Sequence, residues 1–111
     1  MDILPDADNA VIPIEKFTQY ALNPEKQRDK AIAFKLALGY DLSNCQKLID
    51  NIRRNIKNHP ASQKPDLGYG LRYEVIISLL GENNKRAKVL TAWLVDKATN
   101  ETRLISAYID E

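Results

Sequence analysis

One cysteine and one histidine are all that 111 residues offer for thiol or imidazole chemistry. Cys45 has no partner for an internal disulfide, which fits a reducing, cytoplasmic setting. His59 stands alone and no acids cluster at ligand spacing, so no metal is expected. Walker loops, dinucleotide glycine fingerprints and GxSxG elbows are missing too, and no cofactor is expected. No apolar run reaches transmembrane length. The opening Met1-Asp2-Ile3-Leu4-Pro5-Asp6 has neither the basic nor the apolar region of a signal peptide, so no membrane association is expected.

What is present is ordinary globular material, 44% hydrophobic and 28% charged, enough for one core and one domain over residues 1–111. The net charge of +1 is unevenly spread. Residues 1–23 hold one lysine against four acids, a net −3. Residues 24–64 hold nine Lys or Arg against four acids, a net +5, and residues 65–111 hold six against seven, a net −1. The basic middle is either a nucleic-acid footprint or a solvated helical face.

The hydrophobic period changes near Tyr69-Gly70-Leu71-Arg72-Tyr73: apolar residues recur every three or four positions before it and alternate after it. The pattern predicts an α+β domain, three N-terminal helices packed on a C-terminal three- or four-stranded antiparallel meander. Residues 1–12 read as an extended segment, with Ala10-Val11-Ile12 a short edge strand before Pro13. Residues 13–59 read as helices. The first carries Ile14, Phe17 and Ala21 on one face and stops at Asn23-Pro24. The second runs from Glu25 to Leu38, burying Ala31, Phe34 and Leu38 before Gly39. A capping box of Ser43 and Gln46 opens the third, whose stripe is Cys45, Leu48, Ile49, Ile52 and Ile56. Residues 60–68 read as the one real loop, and 69–111 as strands. Tyr73, Val75, Ile77 and Leu79 alternate on the first strand. Val89, Thr91, Trp93 and Val95 share one face of the second; Leu90, Ala92 and Leu94 share the other, so that strand is expected to be covered on both sides. On the last, Leu104, Ser106 and Tyr108 alternate with Ile105, Ala107 and Ile109.

Cys45 lies on a buried stripe and reads as a core thiol; His59 at a helix end reads as a cap, favoured there in its protonated form; Trp93 reads as core. What remains is Lys, Arg, Tyr and Ser. That set suffices to cleave RNA, because the 2′-hydroxyl is itself the nucleophile. Arginine offers a fixed fork for phosphate oxygens and lysine a point charge. Tyrosine can stack on a base or donate a proton. Arg72 between Tyr69 and Tyr73 has that composition, although spacing alone reads first as an edge-strand arginine beside half-buried tyrosines. Ser106 and Tyr108 either line the same cleft or form a polar outer face.

These residues resemble an uncharacterised family of small bacterial domains. The shared pattern is Leu4-Pro5; Lys16, Tyr20 and Leu22-Asn23-Pro24; Lys30-Ala31 with Phe34; Tyr69-Gly70-Leu71-Arg72-Tyr73; Ala92-Trp93; and Leu104 with Tyr108. One departure stands out: the family often has His-Pro and a Gly after Asn-Pro, where this chain reads Glu25-Lys26-Gln27-Arg28-Asp29. A catalytic histidine at that point would be missing here; RelE-like enzymes can work without a conserved histidine. Relatives occur beside a second tiny gene, like toxin–antitoxin pairs, and at the ends of phage-head or toxin-like proteins. The resemblance implies a toxin-like, metal-independent endoribonuclease of the barnase, EndoU, colicin or RelE type, with an antitoxin-like partner. Lys30 and Arg72 would then hold phosphate. Tyr69 or Tyr108 would stack or transfer a proton, and Lys47, Arg54 and Lys57 would guide RNA in. The alternative is a non-catalytic module that docks a small partner protein, which the near-neutral charge favours.

Overall fold

The computed structural model describes residues 2–66 and 68–110. Met1, Leu67 and Glu111, within the expected extended segment, loop and last strand, lie outside the described residues. The chain is α+β, with a four-stranded antiparallel sheet in sequence order. The strands are β1 (Ala61–Lys64), β2 (Gly70–Leu80), β3 (Arg86–Asp96) and β4 (Thr102–Ile109). Two α-helices precede them, α1 (Arg28–Leu38) and α2 (Cys45–Asn55). Helix α1 packs over β3 and β4, and α2 over β2.

The period of two sets the inner face. Tyr73, Val75, Ile77 and Leu79 of β2 stand opposite Trp93, Thr91, Val89 and Ala87 of β3. Onto them α1 lays Ala31, Phe34 and Leu38, and α2 lays Cys45, Leu48, Ile49 and Ile52, followed by Ile56. Burying each large aliphatic side chain contributes about 1.5–3 kcal/mol. Two polar groups within this core are satisfied in series. The Trp93 indole N–H donates to Thr91 Oγ1, and the Thr91 hydroxyl donates to the Val75 carbonyl, both at 2.8 Å.

Several expectations are corrected. The first helix is short and mostly π: Glu15 and Lys16 are α-helical and run into one wide π turn, Phe17–Ala21, closed by Leu22 N–H to the Phe17 carbonyl, and Ile14 is exposed rather than on the buried face. The second helix starts at Arg28, because residues 24–26 turn before it. The capping box uses Asp41 and Asn44, not Ser43 and Gln46. Asp41 accepts from Ser43 N–H while Asn44 accepts from Asp41 N–H, and the pair opens a 3₁₀ turn, Leu42–Asn44, ahead of α2. Part of the expected loop is β1, paired with residues 72–75 of β2. His59 continues that edge: its Nε2 accepts from Ser78 N–H at 3.2 Å. Its Nδ1 lies 3.1 Å from the Asn55 carbonyl, at the end of α2, where a cap is expected.

The register also shifts on β4. Ala92 pairs with Ser106, yet Trp93 pairs with Leu104, leaving Ile105 as a β-bulge. Leu104 is thereby turned inward and fully buried, away from the face shared by Ser106 and Tyr108. Nor is the sheet covered on both sides. Ile76 is 45% exposed and Leu80 51%, on the face opposite the helices.

The N-terminal segment is not extended throughout: Ala7–Asn9 form a 3₁₀ turn, the expected edge strand is a single bridge at Val11, and the segment is part of the core. The Asp2 carbonyl accepts from Ala61 N–H on β1. Val11 bridges β4 in parallel, exchanging bonds with Thr102 and Leu104. Leu4, Ala7, Ala10 and Ile12 are buried between these anchors, Thr102 Oγ1 donates to the Pro5 carbonyl, and Arg53 donates to the Ala10 carbonyl.

Replacing Thr91 by Val keeps the shape but strips the partner from a buried indole N–H. Urea unfolding followed by Trp93 fluorescence should show a loss of about 1–3 kcal/mol, whereas an unchanged midpoint would mean that the Trp93–Thr91–Val75 chain does not stabilise the core.

Candidate functional site

Beyond the bridge to Val11, the edge of β4 meets a cleft of about 280 Å³ lined by Lys16, Tyr20, Gln27, Lys30 and Ser106. Each is placed by a local irregularity. The π turn widens the backbone so that Phe17 and Ala21 point into the core while Tyr20 projects outward, 48% exposed. Lys16 precedes that turn, and its Nζ lies 5.7 Å from the centre of the Tyr20 ring. Gln27 is the N-cap of α1, and Lys30 sits one turn in, with its Nζ 5.3 Å from the centre of the Tyr108 ring. The bulge at Ile105 gives Ser106 its place on the rim.

The electrostatics favour an anion. No carboxylate is among the cleft's described lining residues, and neither Lys16 nor Lys30 has an ion pair among the described residues. Gln27 adds an unusual feature. Its Oε1 is buried without a hydrogen-bond partner among the described residues, a state that costs about 1–3 kcal/mol unless a ligand donor completes it. Two ammonium groups, the Tyr20 phenol and the Ser106 hydroxyl, with the Tyr108 phenol beside Lys30, can bind a phosphodiester, accept from a sugar hydroxyl and donate a proton.

Of the candidates named from sequence, Lys30 and Tyr108 come together here. Tyr69 and Arg72 do not join them. Tyr69 is 72% exposed at the start of β2, and Arg72 lies two strands and four residue rows from Tyr108, about 16 Å away by strand spacing. The three helical cations are spread along α2 and the turn after it. Lys47 pairs with Glu82 at 3.1 Å and Lys57 with Asp8 at 2.8 Å, while Arg54 shares shallow hollows with Asp50. The acids of the first and last segments thus fold against the basic middle. Sequence reasoning passed over Lys16, Tyr20 and Gln27 as site residues. The i, i+4 spacing of Lys16 and Tyr20 was the available signal; nothing local marks Gln27.

A second hollow, about 460 Å³ and mostly apolar, lies between the π turn and the 3₁₀ turn, lined by Leu22, Pro24, Ala31, Ile32 and Leu42. Its polar rim is the Lys35–Asp41 ion pair, 2.8 Å long. The Lys35 ammonium, followed by the Ser43 hydroxyl and amide, lowers the Asp41 carboxyl from 3.8 to about 2. Elsewhere, burial pushes the Cys45 thiol up, which keeps it protonated and inert.

Residues 3–111 match the family model of a domain of unknown function, DUF6883. No curated protein and no solved structure matches the chain.

Because its folded value is depressed, Asp41 contributes stability above the ordinary carboxylate range and loses it as pH falls through about 2. An NMR titration should find that midpoint at Asp41, echoed by the Ser43 amide; a midpoint at the ordinary 3.8 would show that the cap and ion pair are not held in solution.

Proposed function

For this chain, which belongs to the DUF6883 family, we propose a metal-independent endoribonuclease site at the β4 edge, in the toxin-like half of a two-gene module. The observation that carries the reading is the convergence of Lys16, Lys30 and Tyr20 on one cleft with no carboxylate among its described lining residues, with the Tyr108 ring 5.3 Å from the Lys30 ammonium. Lys30 and Lys16 hold the scissile phosphate as point charges, strongest on the pentacoordinate transition state, where charge is greatest. Ser106, on the rim of the cleft, accepts from the 2′-hydroxyl and orients it. The 2′-oxygen attacks phosphorus and its proton passes to water. The bond to the 5′-oxygen breaks, and the phenol of Tyr108 gives that oxygen a proton, to be replenished from solvent. The products are a cyclic phosphate and a free 5′-hydroxyl. Tyr69, exposed at the start of β2, serves the flanking RNA instead, by stacking, and Arg72 takes no part in this reading.

A second reading, a non-catalytic module that docks a small partner protein, is supported by the apolar hollow beside Ile32 and Leu42.

The test compares wild type with Lys30→Ala. Purified wild type should cut a fluorescent RNA oligonucleotide in the presence of EDTA and leave its 2′-deoxy counterpart intact. Lys30→Ala should cut at least about 100-fold more slowly, as for loss of one transition-state charge. Induced expression should arrest growth and fragment RNA only for the wild type. Intact RNA with folded wild-type protein would overturn the enzyme reading and leave the docking module.

A further inference from the structure

The outer face of the sheet carries cations beside exposed aliphatic side chains. The registers place Lys64 of β1, Arg72 of β2, Arg86 and Lys88 of β3 and Arg103 of β4 on that face, with the carboxylates of Glu74 and Asp96, and Asp110 follows β4 beside Lys88. A chain with a net charge of only +1 thus gathers five cations on one side of one sheet. Glu74 answers Lys64 at 3.6 Å, and Glu101, from the turn before β4, answers Arg103 at 2.7 Å. Arg72, Arg86 and Lys88 have no carboxylate partner among the described residues. Between these cations runs an apolar stripe. Leu94, Ala92 and Ile76 with Leu90 follow one another along β2 and β3, and Leu80 comes after the Ser78–Lys88 row, with Ile76 45% and Leu80 51% exposed. From the row of Arg72 to the row of Leu80 the stripe is about 26 Å long, the length of about 17 residues of α-helix.

We propose that this face docks an acidic amphipathic helix of a second protein, its apolar side on the Ile76–Leu90–Leu94 stripe and its carboxylates on Arg72, Arg86 and Lys88. Three physical arguments select that occupant. A second copy docked face to face would set the unpaired Arg72, Arg86 and Lys88 against their own counterparts with no added carboxylate to answer them, which is unfavourable. Single-stranded RNA would meet the cations but find aliphatic side chains where bases need aromatic planes, since Tyr108 at the margin is the one aromatic ring on this face. An acidic amphipathic helix satisfies both parts at once, the groove by burial and the rim by charge. The inference stands apart from the ribonuclease reading, because none of Arg72, Lys88 or Ile76 lines the cleft at the β4 edge.

The probe is a synthetic 18-residue helix with leucine on one side and glutamate on the other, beside a twin with lysine for glutamate. Fluorescence anisotropy gives affinity, and ¹H–¹⁵N spectra give the site. The acidic helix should shift the amides around Ile76, Leu90 and Leu94 and bind at least tenfold more tightly than its basic twin. Lys88→Glu should weaken it several-fold, and Arg72→Glu with Lys88→Glu at least tenfold. Lys26→Glu, which changes net charge equally at an exposed turn, should leave it within twofold. Circular dichroism checks that each variant is folded, and Ile76→Ser provides an uncharged lesion in the same stripe, also expected to weaken binding. Equal binding of the two helices, shifts confined to the hollow beside Ile32, or equal loss in Lys26→Glu would overturn the proposal. So would a single-stranded RNA oligonucleotide that displaced the acidic helix from these residues.

Discussion

The cleft depends on where α1 is pinned, and α1 is pinned at its far end. Its C-terminus presses on the turn between β2 and β3. The Leu38 carbonyl accepts from Glu82 N–H at 2.8 Å, and Asn83 reaches the Leu36 carbonyl. Gly81 makes this approach possible, for any Cβ there would overlap the Leu38 backbone. Gly39, in the left-handed region at φ 75°, turns the chain away immediately afterwards. With one end fixed against the hairpin and Phe34 fully buried at its middle, the 11 residues of α1 have one place to put their N-terminus. That place is beside the edge of β4, and there Gln27 and Lys30 meet Ser106 and Tyr108. Glu82 extends the same constraint to α2 through Lys47, so both helices and the hairpin share one anchor.

One-sided covering is the second organising fact. Helices, π turn and N-terminal segment all lie on the inner face, and both edges of the sheet are tied by the same short segment, to Ala61 through Asp2 and to β4 through Val11. Edge strands are thereby closed to unwanted pairing. The outer face is left to the cations and the aliphatic stripe. The two faces therefore carry different possibilities, a polar cleft at one margin and a broad charged surface behind it.

Much of this architecture was legible in the sequence because hydrophobic period is a local signal. Alternation along Tyr73–Leu79 and Val89–Val95 marked the central hairpin, and the stripe from Cys45 to Ile56 marked α2 with its buried side correct. The failures have physical causes. Ala61-Ser62-Gln63-Lys64 has no apolar alternation, since β1 is an edge strand held by pairing to β2 rather than by burial. The π turn and the bulge at Ile105 each depend on one extra residue, which periodicity averages away. Leu90, Ala92 and Leu94 looked like a second buried face because composition alone does not separate a covered surface from one awaiting a partner. The site was half legible. Lys30 and Tyr108 were named for their chemistry and meet in space, but their tie is tertiary. Tyr20 and Gln27 owe their roles to a widened turn and an unsatisfied amide, neither of which is written locally. The basic block of residues 24–64 was also read without its counter-ions: Asp8 and Glu82 lie far from Lys57 and Lys47 in sequence and adjacent to them in the fold.

The central claim is that the anion-attracting part of this molecule is the β4-edge cleft and not the α2 face. It is tested most directly by titrating the ¹⁵N-labelled protein with a 2′-deoxy oligonucleotide, which can bind but cannot react. Amide shifts concentrated at Lys16, Tyr20, Gln27, Lys30 and Ser106, and weakening steeply with salt, are the expected result. Shifts concentrated along Lys47, Arg54 and Lys57, or none at any of these positions, would contradict it.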